Sequence, residues 1–270
     1  MTRPLILLTN DDGIFSPGLA AAAGALDPLG ELLIVAPAVQ QTSMSRTRSQ
    51  QHGATGRIEP AEVVLGDQRW QGYAAHTTPA LSVEHAVQEI ASRPIDLVVS
   101  GINYGENIGT SVTVSGTIGA AMEAADHGIP ALAVSLEINH TDYHSYDTGT
   151  DFEAAAYFTR MVARKMLAAS LPEDVDLLKL EVPAHATRET KIVLARQDKL
   201  CYYTPSIEKR EDLSTPTSFN HTPSKGKFTR TDTDAYALAQ GLVCITPLSL
   251  DLTSRVPLVD LADLLDTPSI

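Results

Sequence analysis

Cysteine is almost missing from this chain of 270 residues; only Cys201 and Cys244 occur, far apart in sequence. So few thiols exclude a disulfide scaffold and suit small, mostly buried side chains in a reducing compartment. Long hydrophobic runs are missing too, and no stretch approaches the ~20 apolar residues that cross a bilayer. Met1-Thr2-Arg3-Pro4 leads straight into an apolar strand without a secretory core, so the expectation is a cytoplasmic protein with no membrane partner. Positive charge is scarce: 20 Lys and Arg face 33 Asp and Glu, for a net charge of −13. Duplex binding rests on Lys and Arg neutralising phosphates, which excludes a polynucleotide as the main partner. A mononucleotide held by one metal ion and a few backbone amides is still allowed. The glycine signature of a dinucleotide-binding dehydrogenase does not follow the first strand, and a Walker A loop is absent.

What is present is a globular composition, 43% hydrophobic and 20% charged, long enough for one or two domains with a large core. Apolar strand-like runs at Leu5–Thr9, Leu32–Ala36, Leu97–Ser100 and Ala131–Ser135 alternate with helical stretches at Pro17–Leu29, Leu81–Ser92 and Ile118–His127. That alternation predicts βαβ units and a parallel sheet. Ser16 before Pro17 marks a helix start, with a capping hydroxyl and proline at the first helical position. A long helix is expected over Asp151–Ser170, where Phe152, Ala155, Phe158, Met161, Val162 and Met166 recur at helical spacing. Further strands are expected at Leu177–Val182, Lys191–Ala195 and near Leu242–Leu248. Between Thr204 and Thr233 the chain turns polar and aperiodic, a length that is uncommon inside a compact domain unless it is functional, disordered or packed on another subunit.

Four segments at strand ends carry candidate chemistry. Thr9-Asn10-Asp11-Asp12-Gly13 follows the run Leu5-Ile6-Leu7-Leu8, and ligands of open α/β sheets bind beyond the carboxyl ends of strands. Adjacent carboxylates repel and need a compensating positive charge. No Lys or Arg stands near them in sequence, which points to a divalent cation with oxygen ligands; a solvated Asp-Gly turn is the competing reading. Val35-Ala36-Pro37 opens into Gln40-Gln41-Thr42-Ser43-Met44-Ser45, a loop whose hydroxyls suit a hard cation or are simply an ordinary polar loop. Ser100-Gly101-Ile102-Asn103-Tyr104-Gly105-Glu106-Asn107-Ile108-Gly109 offers glycines for close backbone approach and a neutral oxygen on Asn103. Ser115-Gly116-Thr117 opens a helix, whose free amides favour an anion such as phosphate, beside the plainer role of a helix cap. Together the four supply what metal-assisted phosphate chemistry requires.

In that order, TNDDGIFSPGL, SGINYGENIG, SGTIGAAMEA and GIPALAVSL, with the late DTDAYALAQGLVCITPL, resemble the SurE family of stationary-phase survival proteins. The resemblance covers nearly the whole chain, most strongly residues 5–19, 97–135 and 231–248. It implies a metal-dependent phosphomonoesterase acting on nucleoside monophosphates, with a Rossmann-like, doubly wound, mostly parallel α/β part and a C-terminal arm used in homodimers or homotetramers. On this reading residues 1–200 form the catalytic part, and 201–270 the oligomerisation arm, final strand and tail. The family's metal set then falls on Asp11, Asp12 and Asn103, and its metal-site serine on Thr42, with Ser43 as the fallback if the loop shifts by one. One divalent ion per subunit, Mg²⁺ or Mn²⁺, is implied. The phosphate-contacting trio falls on Ser115, Gly116 and Thr117. Asp11 and Asn10 are the candidates for catalytic roles, Asn10 by orienting substrate or water. Leu81, where Asp is usual, and Glu181, where Asn is usual, depart from the family and bear on substrate preference. The resemblance leaves open the preferred base, 5′ against 3′ phosphates, and cleavage of polyphosphate.

Other readings fit the residues less well. An aspartyl-phosphate phosphatase wants a second Asp two positions after its nucleophile, and Gly13 stands there relative to Asp11. His140 and His144 share a four-residue spacing but lack the HExxH pattern and read as surface histidines. A non-catalytic metal- or nucleotide-sensing protein needs the same pocket, and turnover of a phosphate monoester separates it from an enzyme.

Overall fold

A computed structural model describes residues 2–49, 55–138 and 149–268; His140 and His144 lie outside them. The elements positioning the strand ends are β1 (Leu5–Thr9), α1 (Pro17–Leu26), β2 (Glu31–Pro37), β3 (Ile58–Leu65), β4 (Gln68–Ala75), α2 (Pro79–His85), β5 (Leu97–Tyr104), α3 (Gly116–Asp126) and β6 (Ala131–Leu136). After them come α4 (Glu153–Ala168), β7 (Leu177–Val182), β8 (Ile192–Leu194), β9 (Tyr203–Ile207), β10 (Phe219–Pro223), α5 (Asp234–Ala239), β11 (Val243–Leu248) and α6 (Leu258–Leu265).

Nine strands form one sheet in the order β3-β4-β2-β1-β5-β6-β7-β11-β8. The run from β4 to β7 is parallel throughout. Only β3 against β4 and β11 against β7 are antiparallel. This is the expected doubly wound α/β architecture. β11, from beyond residue 200, lies between β7 and β8 and completes the same sheet.

Successive side chains of a strand point to opposite faces, and the apolar runs feed two cores accordingly. Ile6, Leu8, Leu132 and Val134 pack with α1 and α4 on one face. Leu7, Val98, Ala131 and Ala133 pack with Val83 of α2 and Ile118, Ala121 and Ala124 of α3 on the other. β1 is buried along its whole length, as a strand covered on both faces must be. The chain leaves β1 toward β2 on one side and later returns as β5 on the other. The carboxyl ends of β1 and β5 therefore flank the crevice where such sheets bind ligands.

Several boundaries differ from those read in the sequence. α1 stops at Leu26, with Asp27 still in helical geometry and bonded to Ala23 O, because Pro28 has no N–H to extend the ladder. α2 runs only from Pro79 to His85 and relaxes into a π turn over Ala86–Ile90. The β3–β4 hairpin was not foreseen, although alternating residues around the two-residue turn Gly66-Asp67 carry its signal. Gly66 takes the positive φ of +56° that such a turn needs. The polar stretch after residue 203 contains an antiparallel hairpin, β9 against β10, set apart from the main sheet. Cys244 is buried as expected, whereas Cys201 is exposed.

Candidate metal and phosphate site

Asp11 and Asp12 are held at the carboxyl end of β1 by a turn that Asn10 ties from within. The Asn10 side-chain amide donates to Gly13 O at 3.0 Å and to Ser16 Oγ at 2.7 Å, and its oxygen accepts from Gly13 N at 3.0 Å. Asn10 is fully buried, so its polar atoms shape the turn rather than reach toward a ligand. The same Ser16 hydroxyl accepts from Leu19 N at the start of α1, which makes one hydroxyl serve both turn and cap.

The two carboxylates are almost buried, with 5% and 3% of their surface exposed. Their surroundings are hydrogen-bond donors. Thr117 donates its hydroxyl to Asp11 Oδ1 at 2.5 Å, and the backbone amides of Gly116 and Thr117 also face this carboxylate. Tyr104 N donates to Asp12 Oδ2 at 2.9 Å, and Gln40 Nε2 approaches Oδ1 at 3.4 Å. Burial raises Asp11 to about 6 despite these bonds. Burial and then the charge of Asp11 raise Asp12 to about 8. A pair pushed up in this way is short of positive charge, which is the electrostatic condition a cation relieves.

Asn103 stands near the end of β5, after a register shift against β6 that begins at Ser100. Its amide nitrogen donates to Gly105 O at 2.6 Å, a bond that turns the nitrogen into the glycine loop and does not use the amide oxygen. Thr42 and Ser43 lie exposed in a turn. Gln41 N, just before them, donates to Asp11 O at 2.7 Å, so the hydroxyl loop is anchored at the carboxylate turn.

Ser115 caps α3: its hydroxyl oxygen accepts from Ile118 N at 3.2 Å. Gly116 packs directly on Asp11, where a Cβ would meet the Asp11 Cβ at 2.7 Å and Oδ2 at 2.8 Å. The α3 N-terminus was expected to offer both hydroxyls to a phosphate. The Thr117 hydrogen is instead committed to Asp11, as are the Gly116 and Thr117 amides, and Ile118 N is bonded to Ser115 Oγ, which leaves the Ser115 hydroxyl hydrogen for that part.

Two polar clusters near this site were not foreseen. Behind the glycine loop, the buried Lys179 of β7 donates to Asn107 O at 2.8 Å and Asp234 Oδ2 at 2.7 Å. Glu181 accepts from Asn107 N at 3.1 Å. Burial opposes the Lys179 charge, but Asp234 and Glu181 beside it more than compensate and raise its pKa. Burial pushes Glu181 to about 8. The second cluster is Arg46 and Arg48 against Glu123, Asp126 and Glu84 on α3 and α2. Glu84, Glu123 and His127 bring three ligand atoms within 4.8 Å of one another. The arginines already balance that group's charge, so Asp11 and Asp12 are the better cation site. Lys179 and Glu181 sit two apart in an otherwise apolar strand, a signal that a buried ion pair was available. The arginine cluster leaves no comparable mark in sequence.

A cleft of about 740 Å³ lies elsewhere, between α1, α4 and the β3–β4 hairpin, lined by Phe15, Leu65, Tyr157, Arg160 and others. None of the proposed metal or phosphate residues lines it. Among the described residues no helix is long and apolar enough to cross a membrane.

The family model for "Survival protein SurE" matches residues 6–204. A relative from Thermococcus gammatolerans, named 5'-nucleotidase SurE, is 40% identical over 96% of this chain and 95% of its own length. Another of that name, from Archaeoglobus fulgidus, is 40% identical and covers 93% of each chain. Among solved structures, the SurE protein from Aquifex aeolicus superposes with a TM-score of 0.74 at 30% identity, covering 97% of this chain and 100% of its own.

Proposed function

The chain belongs to the SurE family, and from that premise we propose that it hydrolyses nucleoside 5′-monophosphates to nucleoside and phosphate. Asp11 and Asp12 hold one divalent ion, Mg²⁺ or Mn²⁺, per subunit, with Asn103 and Thr42 completing the oxygen set. The observation that carries this reading is the buried pair itself, two adjacent carboxylates raised to about 6 and about 8 beside an anion-favouring helix terminus. Hard oxygen donors without sulfur or imidazole suit such ions. When bound, the ion polarises phosphoryl oxygens and acidifies water.

The chain's own groups do the rest. The Ser115 hydroxyl receives a phosphate oxygen at the start of α3, where the partial positive charge of a helix start acts on the charge that builds during transfer. The Thr117 hydroxyl and the Gly116 amide hold the Asp11 carboxylate in place and favour its ionised form against burial. Asn10 acts one step back, by holding the turn that presents both aspartates. Burial of the pair keeps water out and strengthens each of these contacts. The names carried by the two archaeal relatives support a 5′-nucleotidase. 3′-Nucleotides and polyphosphate are secondary candidate substrates, and the exposed hairpin β9–β10 is proposed to join subunits into dimers or tetramers.

The test is phosphate release from a panel of 5′- and 3′-nucleoside monophosphates and a chromogenic monoester with Mg²⁺ or Mn²⁺. Turnover fastest on 5′-monophosphates supports the reading. Nucleotide binding without turnover makes the protein a sensor.

A further inference from the structure

We propose that Arg46 and Arg48 are positioning residues for the metal site, strapping the loop that carries Thr42 along α3. This rests on the reading of Asp11, Asp12 and Thr42 as metal ligands. Residues 41–48 are fastened at Gln41 and again from Ser45 to Arg48. Gln41 N is bonded to Asp11 O at 2.7 Å, and Ser45 N to Val114 O at 3.0 Å. Ser45 Oγ donates to Thr113 O at 2.8 Å, and Thr47 O accepts from the Thr78 hydroxyl at 2.5 Å. The loop lies so close on α3 that a Cβ on Gly119 would stand 2.1 Å from Ser45 O and 2.7 Å from Arg46 N. A glycine at this helical position costs stability, and the close approach is what it permits.

The strap's far end is ionic. Arg46 Nε donates to Glu123 Oε2 at 2.6 Å, and Arg48 Nη2 stands 2.7 Å from Oε1 of the same residue. Glu123 has no exposed side-chain surface, while Arg46 is 28% and Arg48 51% exposed. A carboxylate buried under two guanidinium groups is a fixed anchor, since parting it from both leaves an unpaired buried charge. Thr42 itself is exposed, one residue after the Gln41 amide that bonds Asp11 O, so its position is set by these fastenings rather than by packing of its own. Outer partners of this kind orient ligands and typically change metal affinity by ~10–100-fold when removed.

Charge alone predicts the opposite sign, which makes the idea decidable. Removing a cation near a cation site strengthens metal binding by reducing repulsion; losing a positioning residue weakens it. The experiment measures Mn²⁺ binding by titration calorimetry, with thermal melting, on the full chain. It compares wild type with Arg46→Met, Arg46→Lys, Arg48→Met and the surface control Arg57→Met. The expected result is ~10-fold weaker binding in Arg46→Met, smaller loss in Arg48→Met, recovery in Arg46→Lys and no change in Arg57→Met. Amide exchange over residues 41–48 should quicken in step. Should Arg46→Met melt early, the half-exposed Arg48→Met carries the comparison. Unchanged or tighter Mn²⁺ binding in folded Arg46→Met and Arg48→Met overturns the strap while leaving the metal site intact. A wild-type protein that binds no Mn²⁺ overturns the metal reading and the strap with it.

Discussion

The Thr117 hydroxyl donates to Oδ1 of Asp11 across 2.5 Å, joining the first turn of α3 to the end of β1 over 106 residues of sequence. Gly116 brings the helix backbone to the same carboxylate. The proposed phosphate cradle and the proposed metal carboxylate are therefore one construction, and disturbing either side should displace the other.

Thr117→Val keeps the shape and removes the donor. A hydrogen bond to a charged group contributes ~1.5–3 kcal/mol, so kcat/KM should fall by ~10–100-fold. Thr117→Ser should restore most of it. Gly116→Ala is the companion: alanine favours a helix by ~1 kcal/mol over glycine, yet its Cβ would sit 2.7 Å from that of Asp11. Lower activity without a higher melting temperature shows that the contact outweighs the propensity.

Removing a metal carboxylate should cost more than removing a hydroxyl. Asp12→Asn relieves the repulsion in the pair, so the protein should melt at the same or a higher temperature while losing more than the ~100-fold upper range of outer partners. Thr42→Ala should only raise the Mn²⁺ concentration needed for half activity, and Thr42→Ser should be nearly silent. If Ser43→Ala shows the Thr42 phenotype, the ligand is the neighbouring hydroxyl.

These predictions follow residues that sequence already marked, and the reason is local. A strand ending in Asp11-Asp12-Gly13 and a helix opening on Ser115 declare their chemistry within a few positions. What sequence could not show was the meeting of distant segments. The commitment of Thr117 to Asp11, the seat of Arg46 on Glu123 and the Lys179–Asp234 pair each join residues 55 or more apart. Asn10 illustrates the same limit, for its type suits a ligand contact and only the turn geometry shows its atoms already used. The β3–β4 hairpin was legible through Gly66-Asp67, whereas β9 and β10 are short and exposed, without an apolar period to betray them.

Glu181 makes the stability pH-dependent. Its ordinary value of 4.5 rises to about 8 in the fold, so the folded protein keeps a proton that the unfolded chain releases. Stability from this group is fully present below about 4.5 and is lost as pH rises to about 8. Glu181→Gln mimics the neutral form and keeps an acceptor for Asn107 N. The melting-temperature advantage of the variant should grow by several degrees from pH 5 to pH 9, given ~2–4 °C per kcal/mol in chains of ~150–250 residues. Parallel pH curves for variant and wild type contradict this.

The β9–β10 hairpin exposes Ile207, Leu213 and Phe219, at 63%, 78% and 57% of their surface. Apolar side chains held out on a hairpin are the expected form of a subunit contact. Replacing residues 208–218 by a short Gly-Ser turn should lower the mass seen by light scattering and reduce activity only in part. An unchanged mass makes the hairpin a surface loop.

The central claim is that a divalent ion on Asp11 and Asp12 is required for phosphate release from 5′-nucleotides. The most direct measurement follows phosphate from 5′-AMP with the full-length protein as purified, after exhaustive chelation, and after Mn²⁺ is restored. The account predicts loss of release on chelation, its return with Mn²⁺, and no return in Asp12→Asn. Release that persists through chelation, or that Asp12→Asn recovers as fully as wild type, would contradict it.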